Sequence, residues 1–345
     1  MTDNVIYPLL TIAIPTWNRE VFLAQNLEQL SQEGRNIWDM IEVLVSDNAS
    51  SDDTPQVVAD AIAGGMPIRY IRNAENIGSD ANIAQCFNLA QGKFVLILGD
   101  DDLLIDGALS FLLERLAIGT YGVVCLRPYG FESDFRKEYP ISGGRERIFC
   151  DAGAFLATIG PLMTLISSCV INKVLLPKID ARKFCGDNLV QVHLVLRAAL
   201  AAKENLFVDR YLIAYKRNNS SEYDFSQVFV SNLGAVLDSC KSFGLTESAI
   251  LTIEKRLIFA YYPFCILRQR LSKTGDLNAT FARFEERFHG CFLYKYWLVP
   301  IIRLPRPLGI FWGGMTTVIG RALSGDLRLG IAFAWNRILS VWRDV

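Results

Sequence analysis

Three consecutive carboxylates, Asp100, Asp101 and Asp102, stand directly after Gly99 and a run of five apolar residues at 94–98. Such a run reads as a short strand buried on both faces, with the carboxylates emerging at its end. Adjacent carboxylates repel one another, and a divalent cation relieves that cost at a partly buried strand end. Oxygen donors without histidine suit Mg2+ or Mn2+, and Mg2+ characteristically takes one or two carboxylates together with substrate phosphates. The bland alternative is helix capping, with Asp102 and Asp106 favouring the N-terminus of a helix near Gly107. Three successive acids exceed what a cap requires, so metal binding is the preferred reading.

Three further polar clusters follow apolar runs in the same way. Asp47, Asn48, Ser50, Ser51 and Asp52 offer a carboxylate and short polar groups that suit a ribose or the polar edge of a base, although an Asx turn leading into a helix is an equal rival. Arg72, Asn73, Asn76 and Gly78 could bring a cation and amides to a phosphate or base, with Gly78 allowing close backbone approach. The earliest cluster runs from Thr16 to Arg19, behind Pro15.

Those clusters need elements to position them. Strands are predicted at 9–14, 41–45, 68–71, 94–98 and 122–126, and helices at 20–32, 54–63, 80–90 and 107–116. Repeated β-α units imply an α/β fold with a mainly parallel, Rossmann-like sheet and helices on both faces, whose ligands sit beyond the carboxyl ends of the strands. All four clusters fall there. From 127 to 218 the pattern is irregular, with strands expected at 162–171 and 205–214 and a helix at 189–202; beyond 225 the chain reads as helical. Two regions are therefore expected, 1–224 and 225–345.

The 345 residues carry 35 basic and 36 acidic side chains, a balance that argues against nucleic acid as a partner. Eight scattered cysteines with no C-x-x-C pair read as buried thiols in a reducing compartment. Two histidines cannot build a histidine-rich zinc site. The first residues lack the basic and apolar regions of a signal peptide, so a cytoplasmic start is expected. Residues 152–172 carry no charge, but Gly153, Gly160 and Pro161 interrupt them, which suits a loop and a buried strand better than a membrane span.

In ordered combination, PTWNRE after the first strand, VSDNASSDDT after the second and IRNAENIGSDANIAQCFNLAQGKFVLILGDDD through the fourth resemble glycosyltransferase family 2, enzymes of the GT-A fold that use a nucleotide-diphosphate sugar. The resemblance implies a metal-dependent, inverting enzyme. It implies that Pro15, Thr16, Asn18 and Arg19 lie near the nucleobase, that Asp47 contacts base or ribose, and that Asn76, Gly78 and Asn82 shape the nucleotide pocket. Asp100 and Asp101 would approach ribose, diphosphate and metal, with Asp102 in support. Residues 1–126 then form the nucleotide-sugar half and 127–224 the acceptor half. Gly99 is a departure, standing where the family's first Asp usually falls. The Gly-Asp-Asp-Asp form, with RNAENIG and SSCVIN, is similar to the abequosyltransferase-like branch that builds bacterial O-antigen or other surface polysaccharide.

Inverting transfer needs a base on the acceptor side, and a carboxylate serves well. Asp187, just before the helix expected at 189, sits where the family places that acid; an ordinary N-cap is its alternative, and Asp180 the fallback. Lys216, Arg217 and Asn218 could close over the diphosphate or form a solvated turn. From 291 to 345 there are seven basic and two acidic residues and four tryptophans, so a net +5 tail adjoins a body of −6. Its last segment aligns Leu327, Ile331, Trp335, Ile338 and Trp342 on one helical stripe. Basic residues, tryptophans and a strong amphipathic pattern describe a helix lying on an anionic membrane. A lipid-linked glycan acceptor would share that surface, placing the protein peripherally on the cytoplasmic face. A sugar nucleotidyltransferase is disfavoured because IPTWNRE is not a Gly-rich phosphate loop. A catalytically inactive nucleotide-sugar-binding assembly protein is the other alternative.

Overall fold

The computed structural model describes residues 8–34, 37–140, 144–217, 223–272 and 275–323. Two compact units divide the chain: Met1–Ser221 with Ser239–Leu245, and Glu222–Asp238 with Thr246–Val345.

The first unit opens with the expected alternation: β1 (Leu10–Thr16), α1 (Glu20–Gly34), β2 (Ile41–Asp47), α2 (Thr54–Ala63), β3 (Ile68–Arg72), α3 (Ser79–Leu89) and β4 (Phe94–Ile97). It continues through β5 (Leu103–Leu104), α4 (Ala108–Ile118), β6 (Val123–Phe131), β7 (Glu146–Phe149), α5 (Ala152–Ile159), β8 (Cys169–Asn172), α6 (Val190–Ala201) and β9 (Asn205–Lys216). One nine-stranded sheet has the order β3-β2-β1-β4-β8-β6-β9-β5, with β7 also on β9.

The β3-β2-β1-β4 half is wholly parallel. β-Branched and leucine side chains fill it because strands covered on both faces need no polar alternation; Leu10, Ile12, Ile14, Val43, Val45, Phe94 and Leu96 are all inaccessible to solvent. Register brings the polar clusters level, since Thr16 lies beside Asp47 and Asp47 beside Arg72. On the other side Ala13 pairs with Ile97, so β4 delivers its carboxylates next to the end of β1.

The second half of the sheet is mixed. β8 runs antiparallel to both β4 and β6, β5 and β7 run antiparallel to β9, and only β6-β9 is parallel. The apolar stretch at 162–171, read as one strand, is largely helical turns, with only Cys169–Asn172 in the sheet. Asp151 had signalled a helix: its carboxylate accepts the Ala154 amide at 2.6 Å and caps α5, which Gly160 ends at φ 39°.

The second unit is helical: α7 (Leu233–Ser239), α8 (Glu247–Arg256), α9 (Tyr262–Ser272), α10 (Leu277–Phe288), α11 (Phe292–Trp297), α12 (Val299–Arg303) and α13 (Arg306–Leu323). Its core stacks Phe284 on Tyr294, ring centroids 6.1 Å apart, with Tyr262 edge-on to Phe284 at 5.1 Å. Arg287 neutralises both Asp238 and Glu254. α13 packs by a narrow face of small residues, Gly309, Gly313, Thr316, Thr317 and Gly320. A Cβ at Gly320 would stand 2.5 Å from the Phe259 carbonyl, so the close approach requires glycine. The opposite face is apolar yet open to solvent, with Leu308, Phe311 and Val318 all exposed, Phe311 by 71%. Among the described residues no helix is long and apolar enough to cross a membrane. The stripe from Leu327 to Trp342 lies outside the described residues, as does Asn218.

Candidate active site

The loops after β1 and β2 are fastened to each other. Asn18, held at φ 51°, accepts the Ser51 amide at 2.7 Å, while its own amide donates to Ser50 Oγ at 2.9 Å. Glu20 closes the same seam reciprocally with Asp52 and Asp53. Asp52 also accepts the Thr54 amide at 3.1 Å, so it serves the start of α2 as well.

Asp47 is turned inward, with its side chain fully buried. Tyr70 donates to it at 2.6 Å, the Ser50 amide at 2.8 Å, and Arg72 lies 3.4 Å away. Burial, then the bond to Asp47, raises the Tyr70 hydroxyl well above its usual range. Asp47 thus organises this loop from beneath, whereas the Arg72 side chain is half-exposed.

The amides are similarly committed. Asn48 Nδ2 donates to Asn76 Oδ1 at 2.8 Å, and Asn48 Oδ1 accepts the Ile77 amide at 2.9 Å. Asn82 grips β2 through Ser46, accepting its hydroxyl at 2.6 Å and donating to its carbonyl at 2.9 Å. Gln85 joins Ser46 to Asn73. Asn48 and Asn82 are therefore framework, and loop 73–78 is what they hold in place. Gly78 opens α3 at φ 86° with open space where a Cβ would be, so conformation rather than crowding demands glycine there.

At the end of β4, Thr16 Oγ1 donates to Asp100 at 2.8 Å, and Arg19 Nη1 lies 3.1 Å from Asp100 and 3.2 Å from Asp101. One guanidinium bridges both carboxylates. Burial, opposed by Arg19, pushes Asp100 up to about 6. Asp102 does not join this pair. It is buried, accepts the Ser167 hydroxyl, and is raised by burial and then by the charge of Asp101. Asn26, reaching from α1, donates to the Gly99 and Asp102 carbonyls at 3.1 and 2.6 Å and fixes the turn. Gly99 has a physical reason: a Cβ there would stand 3.0 Å from Asp102 Oδ2 and 3.2 Å from Asp101 Oδ1. The capping alternative is not what forms, because α4 begins at Gly107 without a side-chain cap and Asp106 pairs with Arg136.

No three His, Cys, Asp or Glu side chains among the described residues are grouped to hold a metal. The donor set nevertheless fits a hard cation completed by substrate oxygens: Asp100 and Asp101 share one positive charge, supplied by Arg19, and Mg2+ needs only one or two protein carboxylates beside phosphates. Asp102, expected in support, faces Ser167 instead.

Asp187 lies in the loop before α6. Its Oδ1 accepts the Leu189 amide at 2.9 Å, and its Oδ2 lies 2.7 Å from His193 Nε2. The loop turns through positive φ at Gly186 (111°) and Asn188 (61°). Asp80, two residues after Gly78, accepts the amides of Gly186 and Asn188 at 2.7 and 3.0 Å. The loop carrying Asp187 is therefore tied to the first turn of the helix that closes the 73–78 loop. Asp180, the fallback, instead accepts Asn88 and the Arg182 amide. Lys216 and Arg217 bond to the carbonyls of Glu132 and Gly130.

Known proteins resemble this chain in sequence and in fold. Residues 11–176 match the family described as glycosyl transferase family 2. The GalNAc(5)-diNAcBac-PP-undecaprenol beta-1,3-glucosyltransferase of Campylobacter jejuni is 35% identical over 109 residues, 31% of this chain and 34% of that protein. The abequosyltransferase RfbV of Salmonella typhimurium is 36% identical over 110 residues, 31% of this chain and 32% of that one. The matches thus span about a third of those relatives' length. A crystal structure of S. aureus TarS with UDP-GlcNAc superposes with a TM-score of 0.62 at 15% identity, covering 91% of this chain and 92% of that one. A mannosyltransferase from Pyrobaculum calidifontis with GDP-Man and Mn2+ gives 0.53 at 16% identity, covering 94% and 88%. The fold is GT-A, and residues 11–176, just under half of this chain, are similar to glycosyl transferase family 2.

Proposed function

We propose that the protein is a metal-dependent, inverting glycosyltransferase that moves a sugar from a nucleotide-diphosphate donor to a hydroxyl of a lipid-linked glycan in bacterial surface-polysaccharide synthesis. The observation that carries this reading is the meeting of Thr16, Arg19, Asp100 and Asp101 at one strand edge, with the Asp187 loop tied by Asp80 to the adjoining helix. The Campylobacter relative is named for an undecaprenol-linked acceptor, and the two solved structures hold UDP-GlcNAc and GDP-Man.

Loops 16–19, 48–51 and 72–78 form the nucleotide pocket in this reading, with Arg72 near the phosphates. Asp100 and Asp101 would hold Mg2+ or Mn2+, which would supply charge neutralisation to the departing diphosphate. Asp187 accepts the proton of the acceptor hydroxyl as its oxygen bonds to the anomeric carbon. The bond from that carbon to the diphosphate breaks, and the electron pair leaves with the nucleotide.

The outward apolar face of α13, between Arg306 and Arg321, supports docking on an anionic bilayer at the cytoplasmic face. An ordinary surface helix buries its large apolar side chains; this one buries glycine and threonine and exposes leucine, phenylalanine and valine.

The test is a nucleotide-sugar panel with MnCl2 and lipid-linked glycans extracted from bacterial membranes. Transfer from one donor is expected. Absence of both transfer and donor hydrolysis across the panel would favour an inactive binding protein.

A further inference from the structure

The base candidate does not stand alone. His193 is buried on α6, its ring stacked on Phe184 with centroids 4.5 Å apart and planes within 7°. Its Nε2 lies 2.7 Å from Asp187 Oδ2, and its Nδ1 lies 3.3 Å from Arg197 Nη1, which also reaches the His193 carbonyl at 3.3 Å. A guanidinium has only donors, so Nδ1 must accept and the ring proton must sit on Nε2, directed at the carboxylate. Arg197 is itself placed by aromatic rings, its guanidinium 4.4 Å from the centroid of Phe184 and 4.7 Å from that of Phe243. The charged groups of the same neighbourhood are Asp80 on α3 and Asp180, Arg182 and Lys183 before the loop.

We propose that His193 is a positioning residue for the transfer. Through Nε2–H it fixes the rotamer of Asp187, while Arg197 fixes the tautomer of His193 and Asp80 holds the loop backbone. The proposal rests on the reading of Asp187 as proton acceptor. The bond from Leu189 N–H to Oδ1 alone would make an Asx turn ahead of α6, whose N-cap is Leu189 with no side-chain cap; the second bond, to Oδ2, fixes the plane of the carboxylate as well. That plane decides how the carboxylate is presented to an incoming hydroxyl, and misplacement on the order of an ångström can cost about a hundredfold in rate. Gly186 and Asn188 carry the 186–188 loop through positive φ outside any helix or strand, so the side-chain bonds are what hold Asp187 in place.

The test uses the full chain. With 15N-histidine, the two histidines give separable spectra, and His193 is expected as the neutral Nε2–H tautomer, becoming a tautomer mixture in Arg197→Met. In transfer assays with the donor that the panel selects, His193→Leu is expected to lower kcat by about 10- to 100-fold with donor KM within about twofold. His193→Gln, which keeps a donor near the same place, should restore kcat to within about threefold of the native value. An Nδ1–H or doubly protonated His193, an unchanged kcat in His193→Leu, or a Gln variant as impaired as the Leu variant would overturn the proposal. If His193→Leu does not fold, the spectra and the Gln variant decide. Asp187→Asn separates the two readings: normal transfer there removes the proton acceptor itself, whereas a dead Asp187→Asn beside a normal His193→Leu overturns only the role of His193.

Discussion

Replacing Arg19 with Met removes a cation shared by Asp100 and Asp101 while keeping most of the side-chain volume. The Asp100 side chain is 6% exposed and that of Arg19 29%, so the lost attraction is only partly screened. In the native protein Asp100 titrates near 6 rather than 3.8, chiefly because of burial. Between those values the folded state holds a proton that the unfolded chain has released, so stability falls as pH rises through that window, by about 3 kcal/mol in total. Without Arg19 the folded value rises further, by about one to two units, the usual effect of losing an adjacent opposite charge. The variant's deficit should therefore be smallest near pH 4 to 5 and grow by about 1–3 kcal/mol toward pH 8. For a unit of this size that is a Tm deficit of about 3–9 °C. Thermal denaturation of both proteins in EDTA across pH 5–8 measures it. A deficit independent of pH, or one that shrinks as pH rises, would refute the electrostatic account of this cluster. Added MnCl2 should narrow the gap most at pH 8, where the carboxylates are ionised.

Asp187→Asn should keep donor affinity and lose about 10²- to 10⁴-fold in kcat, read from initial transfer rates at saturating donor. Asn82→Ala strands the Ser46 hydroxyl and carbonyl in a buried seam and should cost about 1–3 kcal/mol, measured by urea denaturation. Phe311→Glu with Val318→Glu should weaken co-sedimentation with vesicles containing anionic lipid while leaving Tm within about 2 °C, because both side chains face solvent.

The parallel half of the sheet was legible because its strands are short continuous apolar runs and its helices begin at turn residues. The four polar clusters could be assigned to one edge for the same reason. What sequence could not separate was which polar side chain faces the opening and which faces the frame. Asp47 and Asn82 are typical binding residues by type, yet a tyrosine on β3 and a serine on β2 occupy their polar atoms. Those partners come from neighbouring strands and are invisible to local spacing. The partner of Asp102 was hidden similarly: Ser167 is 65 residues away, in a stretch expected to be strand. His193 was counted but not placed with Asp187. The i, i+6 spacing spans a loop-to-helix junction whose geometry depends on Gly186 and Asn188. Uncharged, aromatic-poor runs such as 152–172 carry both helix and strand signals, and only the Asp151 cap pointed to helix.

The central claim is that this strand edge transfers a sugar with inversion. It is tested most directly by incubating the full chain with MnCl2, the donor that the panel selects and a lipid-linked glycan acceptor, then determining the anomeric configuration of the new linkage by NMR. The account predicts a product inverted relative to the donor, formed by the native protein and lost in Asp101→Ala. A product with retained configuration, or full activity in Asp101→Ala, would contradict it.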